Sequence, residues 1–173
     1  MSDTLITVIA IGLAAVLMFV FPLMTMSDRT DDVSQLAVET ATTDFVDEIR
    51  TTGKITPDKY SKFIENISAT GNTYDVSIEV QVLDENPGKK TTQTAKDKIG
   101  ENVYYSIYTS QIEDVLDNNK NYNLKEGDIV SVSVKNTNQT LAQQLKNFFY
   151  RVVGNDTYTI AASHGGMVTA TGK

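Results

Sequence analysis

LITVIAIGLAAVLMFVFPLMTM, residues 5–26, is the stretch that decides the fold. It lies inside a run of 24 residues, between Asp3 and Asp28, that carries no charge. As a helix rising about 1.5 Å per residue, it matches a hydrocarbon core roughly 30 Å thick. A core helix of a water-soluble domain is rarely apolar on every face over such a length. A secretory signal needs a basic n-region, a shorter apolar run and a small-residue cleavage site. Met-Ser-Asp-Thr supplies no Lys or Arg, and no Ala-x-Ala follows the run. The expectation is a retained membrane helix. Orientation is weakly written, because Arg29 stands among Asp28, Asp31 and Asp32 and no basic residue precedes the helix. The N-terminus is read as cytoplasmic and the rest of the chain as outside.

The helix does not stop at the membrane edge. Val33, Leu36, Ala37, Ala41, Phe45 and Ile49 fall at i, i+3, i+4, i+8, i+12 and i+16, as one stripe of an amphipathic helix. No Gly or Pro interrupts between Pro22 and Gly53, and Gly53 is a good terminator. The spacing predicts one rod from about Thr4 to Thr52, disturbed near Pro22, which lacks an amide hydrogen and should open the backbone around Met18.

Beyond Gly53 helices and strands mix. Thr56-Pro57 reads as an N-cap followed by the first position of a helix with Tyr60, Phe63, Ile64 and Ile67 on its inner face. Residues 73–84 alternate, Tyr74, Val76, Ile78, Val80 and Val82 against Asp75, Ser77, Glu79 and Gln81, as a strand with one wet face. Residues 85–100 read as a polar loop bearing Lys89, Lys90, Lys96 and Lys98. The run from Val103 to Leu116 fits helical spacing. A capping-box pattern, Ser110 to Glu113, leaves open a short strand with the helix starting there. Val130, Val132 and Val134 mark a second strand. A helix follows with Leu141, Leu145, Phe148, Phe149 and Val152 inward, capped near Thr137 or Asn138. Closing strands are expected over 157–163 and 167–171, joined by a His164-Gly165-Gly166 hairpin. The fold class is α+β. A hydrophobic-then-amphipathic N-terminal helix leads into a globular head of helices and a small antiparallel sheet. Three segments follow: a membrane or assembly helix over 1–27, its amphipathic continuation over 28–52, and an extracytoplasmic head over 53–173.

Chemistry is sparse. The chain has 173 residues, no Cys and one His. That excludes disulfides, thiolate sites and a multi-histidine metal centre within one chain. After Met26 it carries 15 basic against 21 acidic residues, an unfavourable balance for phosphate-backbone binding. His164 has no companion nucleophile motif, and no nucleotide or calcium loop pattern occurs. Asp31-Asp32 and Asp47-Glu48 are adjacent in sequence and so do not face each other on a helix. No catalysis, metal or cofactor is expected.

The ITVIAIGLAAVLMFVFP stretch, with Pro22 and the amphipathic helix behind it, resembles the N-terminal spine of type IV pilins and pilin-like proteins, the Tad-type pilins and pseudopilins included. The resemblance covers about the first 50 residues; the head is similar in architecture alone. Where the family carries an acidic residue early in the apolar helix this chain has Leu5, with Asp3 the nearest carboxylate, and the family's basic leader ending in Gly is not among these residues. The resemblance implies a structural subunit of a pilus-like filament or of a secretion or conjugation pseudopilus. Its partners are copies of itself and a membrane assembly machine with a separate ATPase; it resides in the membrane before assembly, and nucleic acid is not its main ligand. The implied assembly interface is Leu5, Ile9, Ala10, Gly12, Leu13, Ala14, Val16, Leu17, Phe19, Phe21 and Pro22. Ala10 and Ala14 share a face on which a neighbouring helix can approach closely. Head charges, Lys89 or Lys90 against a neighbour's Asp31 or Asp32, would add little. The alternative is a single-pass membrane protein whose outer domain binds a partner without forming a filament; an extracytoplasmic enzyme is the third reading.

Overall fold

The computed structural model describes residues 2–84, 104–150 and 159–173. α1 (Ser2–Thr52) is one helix of 51 residues, unbroken through Pro22 and through the polar stretch that follows the apolar run. At the standard rise it is about 76 Å long. Gly53 ends it as expected: its φ of +65° is open to glycine, and its N–H closes onto the Ile49 carbonyl at 2.8 Å. A Cβ at Gly53 would also lie 2.2 Å from the Ala170 carbonyl oxygen, so the turn doubles as a close approach of two chain segments.

The remaining elements are β1 (Lys54–Ile55), α2 (Pro57–Ser68), β2 (Tyr74–Leu83), β3 (Tyr104–Tyr108), α3 (Thr109–Asp117), β4 (Tyr122–Asn123), β5 (Ile129–Asn136), α4 (Leu141–Tyr150) and β6 (Ala161–Met167). The main sheet runs β3-β2-β5-β6, antiparallel throughout, and β1 pairs with β4. The fold is α+β, as the sequence predicts. Val76 pairs with Val134, Ile78 with Val132 and Val80 with Val130, which puts the apolar side of both strands on one face. That face, the inner side of α1's second half, α2 and α3 share one core containing Val38, Phe45, Ile49, Phe63, Ile67, Ile112 and Leu116. Phe45 stacks on Phe63 with centroids 4.4 Å apart. Thr56 caps α2, accepting from the Lys59 N–H at 3.3 Å.

Four expectations are corrected. First, the 103–116 run takes the strand-then-helix form that the sequence left open, β3 and then α3, but the cap is not the Ser110–Glu113 box: the Gln111 side chain accepts from the Tyr108 N–H at 3.1 Å. Glu113 is occupied elsewhere, accepting from the Tyr60 hydroxyl at 2.6 Å. Second, α4 is capped at Thr140. Its hydroxyl accepts from the Gln143 N–H while Gln143 Oε1 accepts from the Thr140 N–H, each at 3.2 Å. Leu141 is exposed, and Ala142 and Gln143 take the buried positions. Third, the expected hairpin is a single strand: β6 runs straight through His164-Gly165-Gly166, and 168–173 forms no strand. The glycines serve close packing. A Cβ at Gly165 would lie 3.0 Å from the Val130 carbonyl oxygen, and one at Gly166 would strike the Arg50 side chain. Fourth, α1 turns a different face to the head, as described below. The lysine-bearing loop, Val152 and residues 157–158 lie outside the described residues.

Residues 168–172 close the head. Thr169 N–H donates to the Arg50 carbonyl, Val168 N–H to the Asp128 carbonyl and Gly172 N–H to the Leu124 carbonyl. Asp128, 2 % exposed, accepts from the Leu83 and Lys125 N–H groups and pins β2 to the turn before β5. Burial, then the charge of Asp128, pushes the Tyr122 hydroxyl up to about 12. Burial and the bond to Glu113 push Tyr60 up as well.

Two outcomes follow. Phe63→Ala removes the stacked ring and should lower unfolding free energy by about 3–5 kcal/mol in a denaturant titration followed by circular dichroism. Because the folded state holds Tyr60 and Tyr122 protonated past their usual range, their stabilisation is complete below about pH 10 and fades as the pH rises towards the folded-state values. Tyrosinate absorbance should show a late-titrating fraction that shrinks in Tyr122→Phe.

Candidate assembly surface

Helix periodicity sets which side of α1 meets the head. Ser27, Asp31, Ser34, Val38, Thr42, Phe45, Val46 and Ile49 are buried. Val33, Leu36 and Ala37, expected on that face, are exposed; Val33 and Leu36 are 63 % and 64 % accessible. Only Phe45 and Ile49 of the expected stripe are fully buried, with Ala41 half-buried.

Asp31, Ser34 and Thr42 can occupy the inner face because each has a hydrogen-bond partner. Asp31 Oδ2 accepts from the Thr140 hydroxyl at 2.6 Å, which holds the carboxylate against the N-terminus of α4, where negative charge is favoured. Ser34 donates back to the Thr30 carbonyl at 2.9 Å and Thr42 to the Val38 carbonyl at 2.7 Å. Lys146 on α4 meets Asp28 at 2.5 Å. One turn above the seam, the Gln35 amide completes a strand-like pair with Ala161. It accepts from the Ala161 N–H at 2.9 Å and donates to its carbonyl at 2.6 Å. Arg50 Nε donates to the Met167 carbonyl at 3.0 Å. Both ends of β6 are therefore fastened to α1 along its flanks. Asp31 is committed inside the chain, which corrects its expected role as a charge available to a neighbouring head.

The face opposite the seam is exposed and has no partner among the described residues. Met26, Val33, Leu36 and Ala37 lie there in register with the apolar first half. In that first half Leu5, Ile9, Leu13, Val16, Leu17, Phe19 and Phe21 are all exposed, between 47 % at Leu17 and 73 % at Phe19. Ala10, Gly12, Ala14 and Pro22 are exposed with them. A Cβ added at Gly12 meets nothing within 4 Å. The structure does not bring these residues together. They surround the helix, and a surface built from them takes its second side from outside the chain. By length and composition this segment can cross a membrane.

The polar groups flanking this surface pair with one another. His164 Nε2 lies 3.5 Å from Asp47 Oδ1, which also takes a 2.7 Å bond from Arg50. Glu39, Thr42, Thr43 and Ser163 line the same shallow hollow. Glu48 pairs with Lys59 at 2.9 Å. Among the described residues no cluster of three His, Asp or Glu side chains could hold a metal ion.

Sequence reasoning missed the seam, Asp28, Asp31, Thr140 and Lys146. Its one legible signal was Thr140 with Gln143, a capping pattern. Asp31→Ala should remove the acceptor of the buried Thr140 hydroxyl and cost about 1–3 kcal/mol. Hydrogen exchange should show faster exchange confined to α4, and Asp31→Asn, which keeps an acceptor, should restore most of the protection. No family model, curated protein or solved structure matches the chain.

Proposed function

We propose that the protein is a structural subunit of a pilus-like filament or secretion pseudopilus, held in a membrane by the first half of α1 before assembly, with its head outside the cytoplasm. Copies pack their apolar helices into a common core and turn their heads outward. The contact between copies is heterologous and does not close, so it propagates as a helix. Extraction from the membrane is the work of a separate ATP-driven machine.

One observation carries this reading over that of a lone membrane anchor: the outward apolar stripe of α1 continues past the reach of lipid. Val33 and Ala37 lie about 10 and 16 Å beyond Met26 along the helix. A headgroup layer is only about 5–7 Å thick on each side of the hydrocarbon. An anchor needs a spanning segment and nothing more. A stripe aligned with that segment, on the side away from the head, suits a neighbouring copy of the same helix. Each such side chain gains about 1.5–3 kcal/mol when taken from water. Those in the lower half, already in lipid, gain less and depend on close packing.

Two results are expected. Leu36→Glu should reduce sheared, pelletable filament by about 10-fold or more, the factor that 1.4 kcal/mol represents. The same variant should remain in the membrane fraction with an unchanged head melting curve, since Leu36 is 64 % exposed and lies outside the core of the head. Gly12→Leu should also block assembly while leaving insertion intact, because the space around Gly12 is open in one copy and would be filled by the next. Electron microscopy of the sheared material gives the direct test. Normal filaments from both variants would refute the proposed packing.

A further inference from the structure

Three Asn-x-Ser/Thr triplets occur in the chain, starting at Asn66, Asn138 and Asn155. The triplet is the acceptor pattern for N-linked glycans, and it matters where a glycosylating enzyme meets the chain. The one at Asn155 lies outside the described residues. The fold treats the other two in opposite ways.

At Asn138 the fold uses the atoms that such an enzyme needs. Its Nδ2 donates to Asn72 Oδ1 at 2.9 Å, and its Oδ1 accepts from the Thr73 N–H at 2.9 Å. The third residue, Thr140, is buried, with its hydroxyl bonded to Asp31 and to the Gln143 N–H. Presenting this triplet means dismantling the join between α1, the start of β2 and α4.

At Asn66 the same atoms are free. Asn66 and Ser68 are exposed, and neither side chain has a hydrogen-bond partner among the described residues. The triplet occupies the last turn of α2, which ends at Ser68. Residues two apart on a helix do not face each other, so an enzyme that grips both must take this turn opened. Opening it releases the bond from the Ala69 N–H to the Glu65 carbonyl and draws out one buried side chain, Ile67. A helix end opens more readily than the packed structure behind it. Once closed, the turn leaves Asn66 on the rim of a hollow between α1 and α2, lined also by Ala41, Asp44, Phe45 and Phe63.

We propose that Asn66 is an N-glycosylation site, taking a saccharide from a lipid-linked glycosyl phosphate once the head has crossed the membrane. The proposal rests on the reading that the head lies outside the cytoplasm. In the transfer, Asn66 Nδ2 attacks the anomeric carbon of the first sugar. The new C–N bond forms as the bond from that carbon to the donor's phosphate oxygen breaks. The lipid phosphate leaves with the electron pair, and the amide gives one proton to the transferring enzyme. The Ser68 hydroxyl is what that enzyme reads. In the folded head the glycan stands over the hollow between α1 and α2 and shields it from other molecules.

The test expresses the full chain in a host whose export compartment carries N-glycosylation enzymes. Asn155→Gln is present throughout, so that the described triplets alone are read. Asn121→Thr adds a reference triplet at Asn119, in the exposed turn after α3. Peptide mass spectrometry should find a glycan on Asn66 and none on Asn138. Ser68→Ala should abolish it and leave the head melting curve of the unglycosylated protein unchanged, since that side chain is exposed and unbonded. A glycan on the reference with none on Asn66 would overturn the proposal. A glycan on Asn138, or one on Asn66 that survives Ser68→Ala, would overturn it too. If Asn66 and the reference both stay bare, the head has not reached that compartment. The reading of its location then fails first and takes the proposal with it, so the two failures are told apart.

Discussion

A single helix that belongs to two solvents governs this structure. The first half of α1 is apolar on all sides and is exposed from Asp3 to Met26 but for half-buried Val20 and Met24, whereas the second half supplies Val38, Phe45, Val46 and Ile49 to the core of the head. Because the helix is unbroken between them, the head cannot be repositioned relative to the apolar half without breaking backbone hydrogen bonds inside α1. A flexible tether would let a head bind a partner at many heights. A rigid spine fixes one height and one azimuth, which a repeating contact between copies requires.

That azimuth depends on the polar seam. Had α1 turned its apolar residues inward, Val33 and Leu36 would lie under α4, and the outward side would be charged. The observed roll buries Asp31 and Ser34 instead. Burying a carboxylate is costly unless it is hydrogen-bonded, and Thr140 meets that cost at the helix end where negative charge is favoured. The free energy of the head thus sustains a roll that leaves Met26, Val33, Leu36 and Ala37 exposed on the far side of the helix, with Arg29 among them.

The legible parts of the fold were those fixed by local sequence. β2 and β5 followed from strict alternation, α2 from Thr56-Pro57, and the length of α1 from the absence of breakers before Gly53. The misread parts were those decided by a distant partner. Asp31 looks like a solvent-facing charge until Thr140, 109 residues later, supplies its donor. Val33 and Leu36 look like core residues, because apolar spacing reports that a stripe exists and not which surface will cover it. Gly165-Gly166 looks like a turn, because the pair's other use, close approach to Arg50 and the Val130 carbonyl, shows only when the strands are laid together. The assembly surface was legible as a list of greasy residues and illegible as a direction.

The two corrections on α1 and β6 share a cause. Gln35 and Arg50 fasten the edge strand to the spine through side chain-to-backbone bonds, and Asp31 fastens α4 through a hydroxyl. All three act on the inner and flanking faces of the helix, so none takes up the outward stripe. They also remove a hazard. An edge strand with free amides invites pairing with another chain, and a subunit kept at high density in a membrane would meet its copies edge to edge. With Ala161 and Met167 bonded to α1, β6 presents fewer unpaired groups to a neighbour. In the filament proposed above, contact between copies would then be steered towards the helix, where the repeat is set by one rigid element, and away from the sheet edge, where register could slip.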